Sequence, residues 1–146
     1  MIIRVEDPAI DLINELSAEL GAMYGDDGDG GFVPEDVAVP RAAFVVAYLE
    51  DKQVGCGAIR PLSEKIAEVK RMYVRPSARG KGISRLILQK LESLAREYGY
   101  ECIQLETGTL QKAAVQLYES MGYQRIPCFY EEYVDNPYSL CFEKAL

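Results

Sequence analysis

The spacing of apolar residues in the first half of the chain predicts one strand, one helix and then a group of strands. Residues 2–5 form an apolar run typical of a short strand. From Pro8 onward, apolar residues recur at helical spacing and define one predicted buried face: Ile10, Ile13, Leu16, Leu20 and Met23. Three further strands are predicted at 44–50, 54–60 and 66–74, with a three-residue hairpin connection between the first two.

The second half of the chain alternates between helical and strand-like patterns. Residues 82–98 predict a helix that ends at Gly99 and buries Ile83, Leu86, Ile87, Leu91, Leu94 and Tyr98. The elements that follow are a strand, a short helix and two strands, at 100–106, 111–121, 123–127 and 138–144. With no repeat or internal linker, this order predicts a mixed α/β (α+β) fold and a single domain over residues 1–146.

The composition agrees with a folded domain and bears on the cellular location of the protein. Apolar residues make up 49% of the 146 residues and charged residues 27%, which is typical of globular chains. No apolar run approaches the roughly 20 residues that a membrane helix needs, and Pro8 interrupts the amino-terminal segment too early for a signal peptide. We therefore expect a cytoplasmic protein without membrane contact.

The net charge of −7 is unevenly distributed. The segment Lys70–Lys90 contains seven basic residues and no acidic residue, so the rest of the chain carries the acidic excess. A concentrated positive patch on an acidic chain suits a small polyanionic ligand, whereas nucleic acid usually needs a broad basic surface. We expect no nucleic-acid partner.

Missing residue types restrict the chemistry further. Because the chain has neither histidine nor a CxxC pair, an ordinary zinc site and the Ser-His-Asp and Cys-His nucleophiles are excluded. Acid–base chemistry then falls to carboxylates, tyrosines, lysines or water. The acidic loop 25–31 lacks a calcium-binding pattern, since Phe32 and Ala38 stand where a glycine and a bidentate acid are required. We expect a flexible, solvated loop, no metal, and four reduced cysteines: Cys56, Cys102, Cys128 and Cys141.

The most informative stretch is residues 75–84, RPSARGKGIS, between a predicted strand and a predicted helix. Gly80 and Gly82 let the backbone approach a ligand closely, and the free amides at the start of a helix favour a phosphate group. Further positive charge comes from Arg79, Lys81 and Arg85. The stretch indicates a pyrophosphate-binding turn, with an ordinary exposed loop as the alternative. It matches neither the nucleotide P-loop nor the three-glycine dinucleotide pattern.

Two segments resemble the motifs of a known family. VKRMYVRPSARGKGIS resembles motif A of the GNAT superfamily of acyl-CoA-dependent N-acetyltransferases, whose key positions fall on Arg79, Gly82 and Ser84, with Ser84 replacing the usual glycine or alanine. QKAAVQLYESMGY, at 111–123, resembles motif B, with Gln111 replacing the usual asparagine. The resemblance implies a mostly antiparallel, twisted sheet flanked by helices, with a splayed parallel strand pair at the cofactor site.

The resemblance also implies which residues bind acetyl-coenzyme A (acetyl-CoA). Main-chain groups of Met72, Tyr73 and Val74 would pair with the pantetheine arm, and the Met72 amide would donate to the thioester carbonyl. The pyrophosphate would lie on the turn formed by Arg79, Gly80, Lys81, Gly82, Ile83 and Ser84. In motif B, the implied cofactor contacts are Gln111 and Ala114.

Two residues are implied as catalytic. Tyr118, in motif B, is the implied general acid for the departing thiolate, and its alternative role is that of a core aromatic residue. Glu68 stands where several members of the superfamily carry a glutamate base, and its alternative role is that of a solvated carboxylate paired with Lys70. Weaker candidates, which would line the acceptor cleft, are Glu106, Glu131, Glu132 and Asp135.

Together these features predict an N-acetyltransferase that moves an acetyl group from acetyl-CoA to a primary amine of a small molecule or peptide. Direct transfer in a ternary complex is expected, because neither motif contains a histidine or cysteine that could form a covalent intermediate. The acceptor is expected between segments 24–41 and 128–138. A non-catalytic acyl-CoA-binding sensor or interaction module is the alternative function, and the sequence leaves a homodimer open.

Overall fold

The computed structural model describes the backbone of residues 1–146 and the side chains of residues 1–131 and 133–146. The described strands are β1 (Ile2–Val5), β2 (Ala43–Leu49), β3 (Lys52–Pro61), β4 (Ile66–Val74), β5 (Cys102–Gly108), β6 (Gln124–Ile126) and β7 (Ser139–Ala145). The helices are α1 (Ile10–Tyr24), α2 (Ile83–Glu97), α3 (Lys112–Ser120) and the short α4 (Glu131–Val134). In this described chain, no helix combines the length and the apolar character needed to cross a membrane.

All the strands join one sheet in the order β1-β2-β3-β4-β5-β7-β6. Every neighbouring pair is antiparallel except β4 and β5, which run parallel. The β4–β5 ladder joins Ile66–Val69 to Cys102–Leu105 and stops there, although both strands continue. Beyond Val69, β4 therefore has a free edge that faces an opening in the sheet. This arrangement confirms the predicted fold class, including the splayed parallel pair.

The two long helices cover opposite faces of the sheet. Successive side chains of a strand point to opposite faces, and in β2 Val45 packs in the cluster that contains α2, whereas Phe44 packs in the cluster that contains α1. Helix α2 buries Ile87 and Leu91 completely, and α1 buries Leu12 completely. The free edge of β4 is therefore held between two packed layers.

The predicted helical faces are partly wrong. Ile10 and Met23, expected in the core, are 49% and 40% exposed, and Leu86 of α2 is 42% exposed. In α1 the buried stripe consists of Leu12, Ile13 and Leu16, near the start of the helix. Helical periodicity identifies an apolar side of a helix, but the neighbouring elements decide which part of that side is covered.

The hairpin between β2 and β3 also differs from the prediction. Its loop has two residues, Glu50 and Asp51, with φ values of 52° and 65°, and β3 already begins at Lys52. Two consecutive left-handed residues are the geometry of a type I′ turn, which matches the twist of the flanking strands. The predicted three-residue connection was therefore wrong, because no glycine or asparagine marks this turn in the sequence.

Two of the cysteines form a disulfide, which corrects the prediction of four reduced thiols. Strands β6 and β7 pair so that Ile126 lies opposite Cys141. Cys128 follows two residues later, and its Cα lies 5.1 Å from that of Cys141, to which it is bonded. Cys56 and Cys102 are free. Reduced thiols were expected because disulfides are rare in cytoplasmic proteins, but the pairing of β6 with β7 brings these two cysteines together.

Candidate active site

Strand β4 is bulged where it reaches the opening in the sheet. Its register with β3 shifts between Cys56 and Ala58, and Arg71, on the opposite strand, has a φ of 57°. A side chain on the intervening Gly57 would come within 2.9 Å of the Met72 sulfur. The bulge turns the following main-chain groups of β4 toward the opening, as expected of an extra residue in one strand.

The turn after β4 leads directly into the N-terminus of α2. Gly82 is the N-cap residue with a φ of 77°, Gly80 has a φ of 78°, and no described side chain caps this helix. The first-turn amides have no helical partner and carry the positive end of the helix dipole. They are therefore available to an anionic group.

The basic side chains around this turn mostly fix the protein itself. Arg79 donates from Nε to the Val74 carbonyl at 2.8 Å and from Nη2 to Glu19 at 2.6 Å. Arg85 donates to the Ser120 hydroxyl at 2.7 Å. These contacts hold the turn against α1 and α3, so ligand binding depends on main-chain amides more than on mobile charge.

A cleft of about 490 Å³ extends from this turn across the free edge of β4 to α3. Tyr118 and nearly all of the predicted cofactor-binding residues line it: Met72, Tyr73, Val74, Arg79, Gly80, Gly82, Ile83, Ser84, Gln111 and Ala114. Lys81 is exposed and is absent from the cleft lining. We call this space the donor cleft.

The structure places Tyr118 both in the packed core and at the donor cleft. It is 5% exposed, and its ring packs against Tyr123 and Phe142 with centroid distances of 5.7 and 6.1 Å. It also lines the donor cleft. Burial, followed by the nearby charge of Glu106, raises the pKa of the Tyr118 phenol well above its ordinary value. The phenol is therefore protonated at neutral pH, although burial also makes it a weaker acid than a free tyrosine.

A second cavity, of about 300 Å³, lies between the loop after α1 and the segment after β6. Its aromatic lining comes from Tyr24, Tyr133 and Tyr138, and the rings of Tyr24 and Tyr138 are 5.6 Å apart. Glu106 lines the same cavity. The structure thus brings together the two segments expected to surround an acceptor, and we call this space the acceptor cavity.

A smaller space of about 70 Å³ connects these two cavities. It shares Met72 and Tyr118 with the donor cleft and Glu106 with the acceptor cavity. Gln111 lines all three spaces, and its side-chain oxygen accepts hydrogen bonds from the Gly108 amide at 3.1 Å and the Tyr24 hydroxyl at 3.3 Å. We call the small space the junction.

Glu68 does not reach any of these spaces. Its side chain is fully buried, and its carboxylate accepts hydrogen bonds from Arg60 Nε at 2.9 Å and the Tyr130 hydroxyl at 3.1 Å. The alternative of a solvated pair with Lys70 is therefore wrong. Arg60 lies directly opposite Glu68 across the β3–β4 ladder, which explains why it is the partner. The position of Glu68 does not support a direct contact with an acceptor amine.

Glu106 is better placed than sequence reasoning suggested. It lines both the acceptor cavity and the junction, and it accepts a hydrogen bond from the Ser139 hydroxyl at 2.8 Å. Burial raises the pKa of its carboxyl, while the Ser139 hydrogen bond and the charge of Lys70 oppose this shift. Of the remaining acidic candidates, Glu131 and Asp135 are exposed, and the side chain of Glu132 lies outside the described residues.

The acidic loop 25–31 is not the free loop expected from its sequence. The buried Arg71 donates to the carbonyls of Gly28 and Asp29 at 3.0 and 2.9 Å, and to the Ser17 hydroxyl at 2.7 Å. The carboxylates of the loop accept hydrogen bonds from its own amides. Among the described side chains, no cluster that could hold a metal ion is found. The loop is a fixed wall of the acceptor cavity.

A cleft with free helix amides, joined through a small space to a second cavity, suits an enzyme that holds an anionic donor beside a second substrate. The chain belongs to the Acetyltransferase (GNAT) family, whose model matches residues 11–123. An IAA acetyltransferase from Azospirillum brasilense is 38% identical over 97% of this chain and 93% of its own length.

Solved structures agree with this assignment. A Klebsiella pneumoniae protein assigned as an acyl-CoA N-acyltransferase has a TM-score of 0.81 at 31% identity, covering 99% of this chain and 97% of that protein. A GNAT family acetyltransferase from Elizabethkingia anophelis, solved with acetyl-CoA bound, shares the fold with a TM-score of 0.71 at 16% identity, covering 99% and 97%. The protein is thus an acyltransferase of the GNAT family.

Proposed function

We propose that this enzyme transfers the acetyl group of acetyl-CoA directly to a primary amine of a small molecule or peptide. The observation that carries the proposal is the continuous path from donor cleft through junction to acceptor cavity. Two openings that meet at one small space allow the donor and the acceptor to be present together. This is the requirement for transfer without a covalent enzyme intermediate.

The donor cleft fits the two chemically distinct parts of acetyl-CoA. The amides that begin α2, with the turn from Arg79 to Ser84, would bind the pyrophosphate. The unpaired edge of β4 at Met72, Tyr73 and Val74 would accept the pantetheine arm as an added strand does. The acetyl-CoA bound to the Elizabethkingia anophelis protein of the same fold supports this choice of donor.

The junction would bring the reacting groups together. An amine with a pKa near 10.4 must lose a proton before it attacks, which costs about 4 to 5 kcal/mol at pH 7. Glu106 would take this proton, because it borders the junction and burial raises its pKa. The Met72 amide would stabilise the oxyanion, and Tyr118 would protonate the departing sulfur.

The tyrosines of the acceptor cavity would orient the amine. Aromatic faces attract ammonium groups and pack against alkyl chains. Tyr133 and Tyr138 come from the segment that the disulfide ties to β7, whereas Tyr24 ends α1. Specificity for the acceptor is therefore expected to depend on this segment more than on the donor cleft.

The proposal is tested by measuring thiol release from acetyl-CoA with a panel of primary amines, together with acetyl-CoA binding by titration calorimetry. Amine-dependent thiol release is expected. Binding without release on any amine would instead indicate a sensor, and the absence of binding at millimolar acetyl-CoA would remove the proposal. Glu106→Gln is expected to abolish most turnover. Glu68→Gln serves as the control and is expected to retain more turnover, since it alters a carboxylate in the neighbouring strand that reaches none of the three spaces.

A further inference from the structure

One amine of the protein already lies in the junction. Lys70 is only 7% exposed, and its Nζ donates to the Gly30 carbonyl at 2.6 Å and the Tyr133 hydroxyl at 3.0 Å. Lysine is almost never buried without a charged partner. Among the described side chains, however, no carboxylate forms an ion pair with Lys70.

The surroundings of this amine are those proposed for the reacting acceptor. Lys70 lines the junction together with Met72, Glu106 and Tyr118, and this space of about 70 Å³ would hold about two water molecules. Because these side chains border one small space, changes in side-chain rotamer are enough to bring them into contact. The four-carbon stem of lysine is flexible enough to turn its amine toward the donor cleft.

We propose that Lys70 is a site of self-acetylation, modified by the acetyl group bound in the enzyme's own donor cleft. This inference rests on the donor site proposed above. Glu106 would accept one proton from the ammonium, and the free amine would attack the thioester carbonyl carbon. The C–N bond forms as the C–S bond breaks, and Tyr118 relays the second proton from nitrogen to the sulfur, giving N-acetyl-lysine and free thiol.

Burial supports this chemistry, since it lowers the pKa of the Lys70 ammonium and so makes deprotonation easier. The modification would also stop turnover. An acetylated Lys70 loses its charge and keeps one of its three N–H donors, and the added acetyl group occupies the junction through which an acceptor must pass. Self-acetylation is therefore expected when acetyl-CoA is present without an acceptor, and a saturating acceptor amine is expected to protect the enzyme.

The test incubates the full-length protein with acetyl-CoA alone and follows each lysine by peptide mass spectrometry. Lys70 is expected to gain one acetyl group at least tenfold faster than Lys65, whose side chain is 70% exposed and reports uncatalysed acetylation. Tyr118→Phe is expected to slow modification of Lys70 but not of Lys65. During the incubation, wild-type activity is expected to fall in step with the modification. The activity of Lys70→Arg, measured relative to its own value at the start, is expected not to fall.

Other outcomes separate this inference from the proposed function. If acetyl-CoA binds and amines are acetylated while Lys70 stays unmodified, the inference is overturned and the proposed function stands. Modification of Lys70 at the rate of Lys65, unchanged in Tyr118→Phe, would indicate solution chemistry and also overturn it. If calorimetry detects no acetyl-CoA binding, both the self-acetylation of Lys70 and the proposed function are refuted.

Discussion

Replacing Tyr118 with phenylalanine removes one hydroxyl from the centre of the site and little else. The ring contacts with Tyr123 and Phe142 can be kept, because phenylalanine has the same ring. No described side chain uses the Tyr118 hydroxyl as a hydrogen-bond partner, so the packing of α3 should survive. Loss of activity in this variant would therefore indicate a loss of proton transfer from the hydroxyl and not a loss of folded structure.

The magnitude follows from the leaving group. A thiol with a pKa near 8.5 must leave as the thiolate if no acid protonates it. At pH 7.5 this raises the activation free energy by about 1.4 kcal/mol, which slows the reaction about tenfold. Tyr118 itself is only 5% exposed, so a thiolate beside it would also lose part of its hydration, and tenfold is a lower limit. Above pH 8.5 the penalty from the missing proton decreases, and the difference between the two enzymes should narrow.

The assay is steady-state thiol release at pH 7.5 and pH 9, with acetyl-CoA affinity measured by calorimetry. Tyr118→Phe is expected to lower kcat at least tenfold at pH 7.5, less at pH 9, and to leave the Kd for acetyl-CoA within about twofold. Equal kcat values for the two proteins at pH 7.5 would refute the role of the phenol. A large rise in Kd would show that Tyr118 acts in binding instead.

Three further predictions concern the remaining parts of the site. In Glu106→Gln, the acid limb of the kcat/KM profile should disappear; in the wild type this limb should lie above the range of an ordinary glutamate, because the raised pKa leaves the base protonated to a higher pH. Gly82→Ala and Gly25→Ala should each cost about 1 to 2 kcal/mol of stability, since both glycines have left-handed φ values, but only Gly82→Ala should weaken acetyl-CoA binding. If the two variants had equal Kd values for acetyl-CoA, this would contradict the proposed role of the turn before α2 in binding the cofactor. Reducing the Cys128–Cys141 bond, which spans 13 residues, should lower the unfolding free energy by about 3 kcal/mol and raise KM for the amine but not for acetyl-CoA. Reductant should not change the melting temperature of Cys128→Ser, which lacks the bond. If reductant also left the melting temperature of the wild type unchanged, that result would argue against this tether.

The donor side of the site could be predicted because it is built from consecutive residues. A strand, two glycines with left-handed backbone and the start of a helix follow one another within residues 66–84. Free helix amides and glycine flexibility are local properties, so they can be inferred before the fold is known. The positions of Gly80 and Gly82 in the donor cleft follow from this local order.

The acid–base residues could not be ranked in the same way. Glu68 and Glu106 look alike in sequence, since each is a carboxylate in an apolar strand. The structure separates them, because Arg60 and Tyr130 enclose Glu68 while the end of the β4–β5 ladder leaves Glu106 facing the junction. Burial and partners across a sheet depend on long-range pairing, which no local pattern reports.

The sequence by itself determined the order of the strands and of α1, α2 and α3, the glycine-containing turn before α2 and the position of Tyr118 in the second motif. Only the tertiary structure decided that Lys70 lies in the junction, that Arg71 fixes the acidic loop, and that Cys128 meets Cys141. The physical reason is that periodicity and turn chemistry act over a few residues. A cavity, by contrast, exists only where segments distant in the chain pack around the same space.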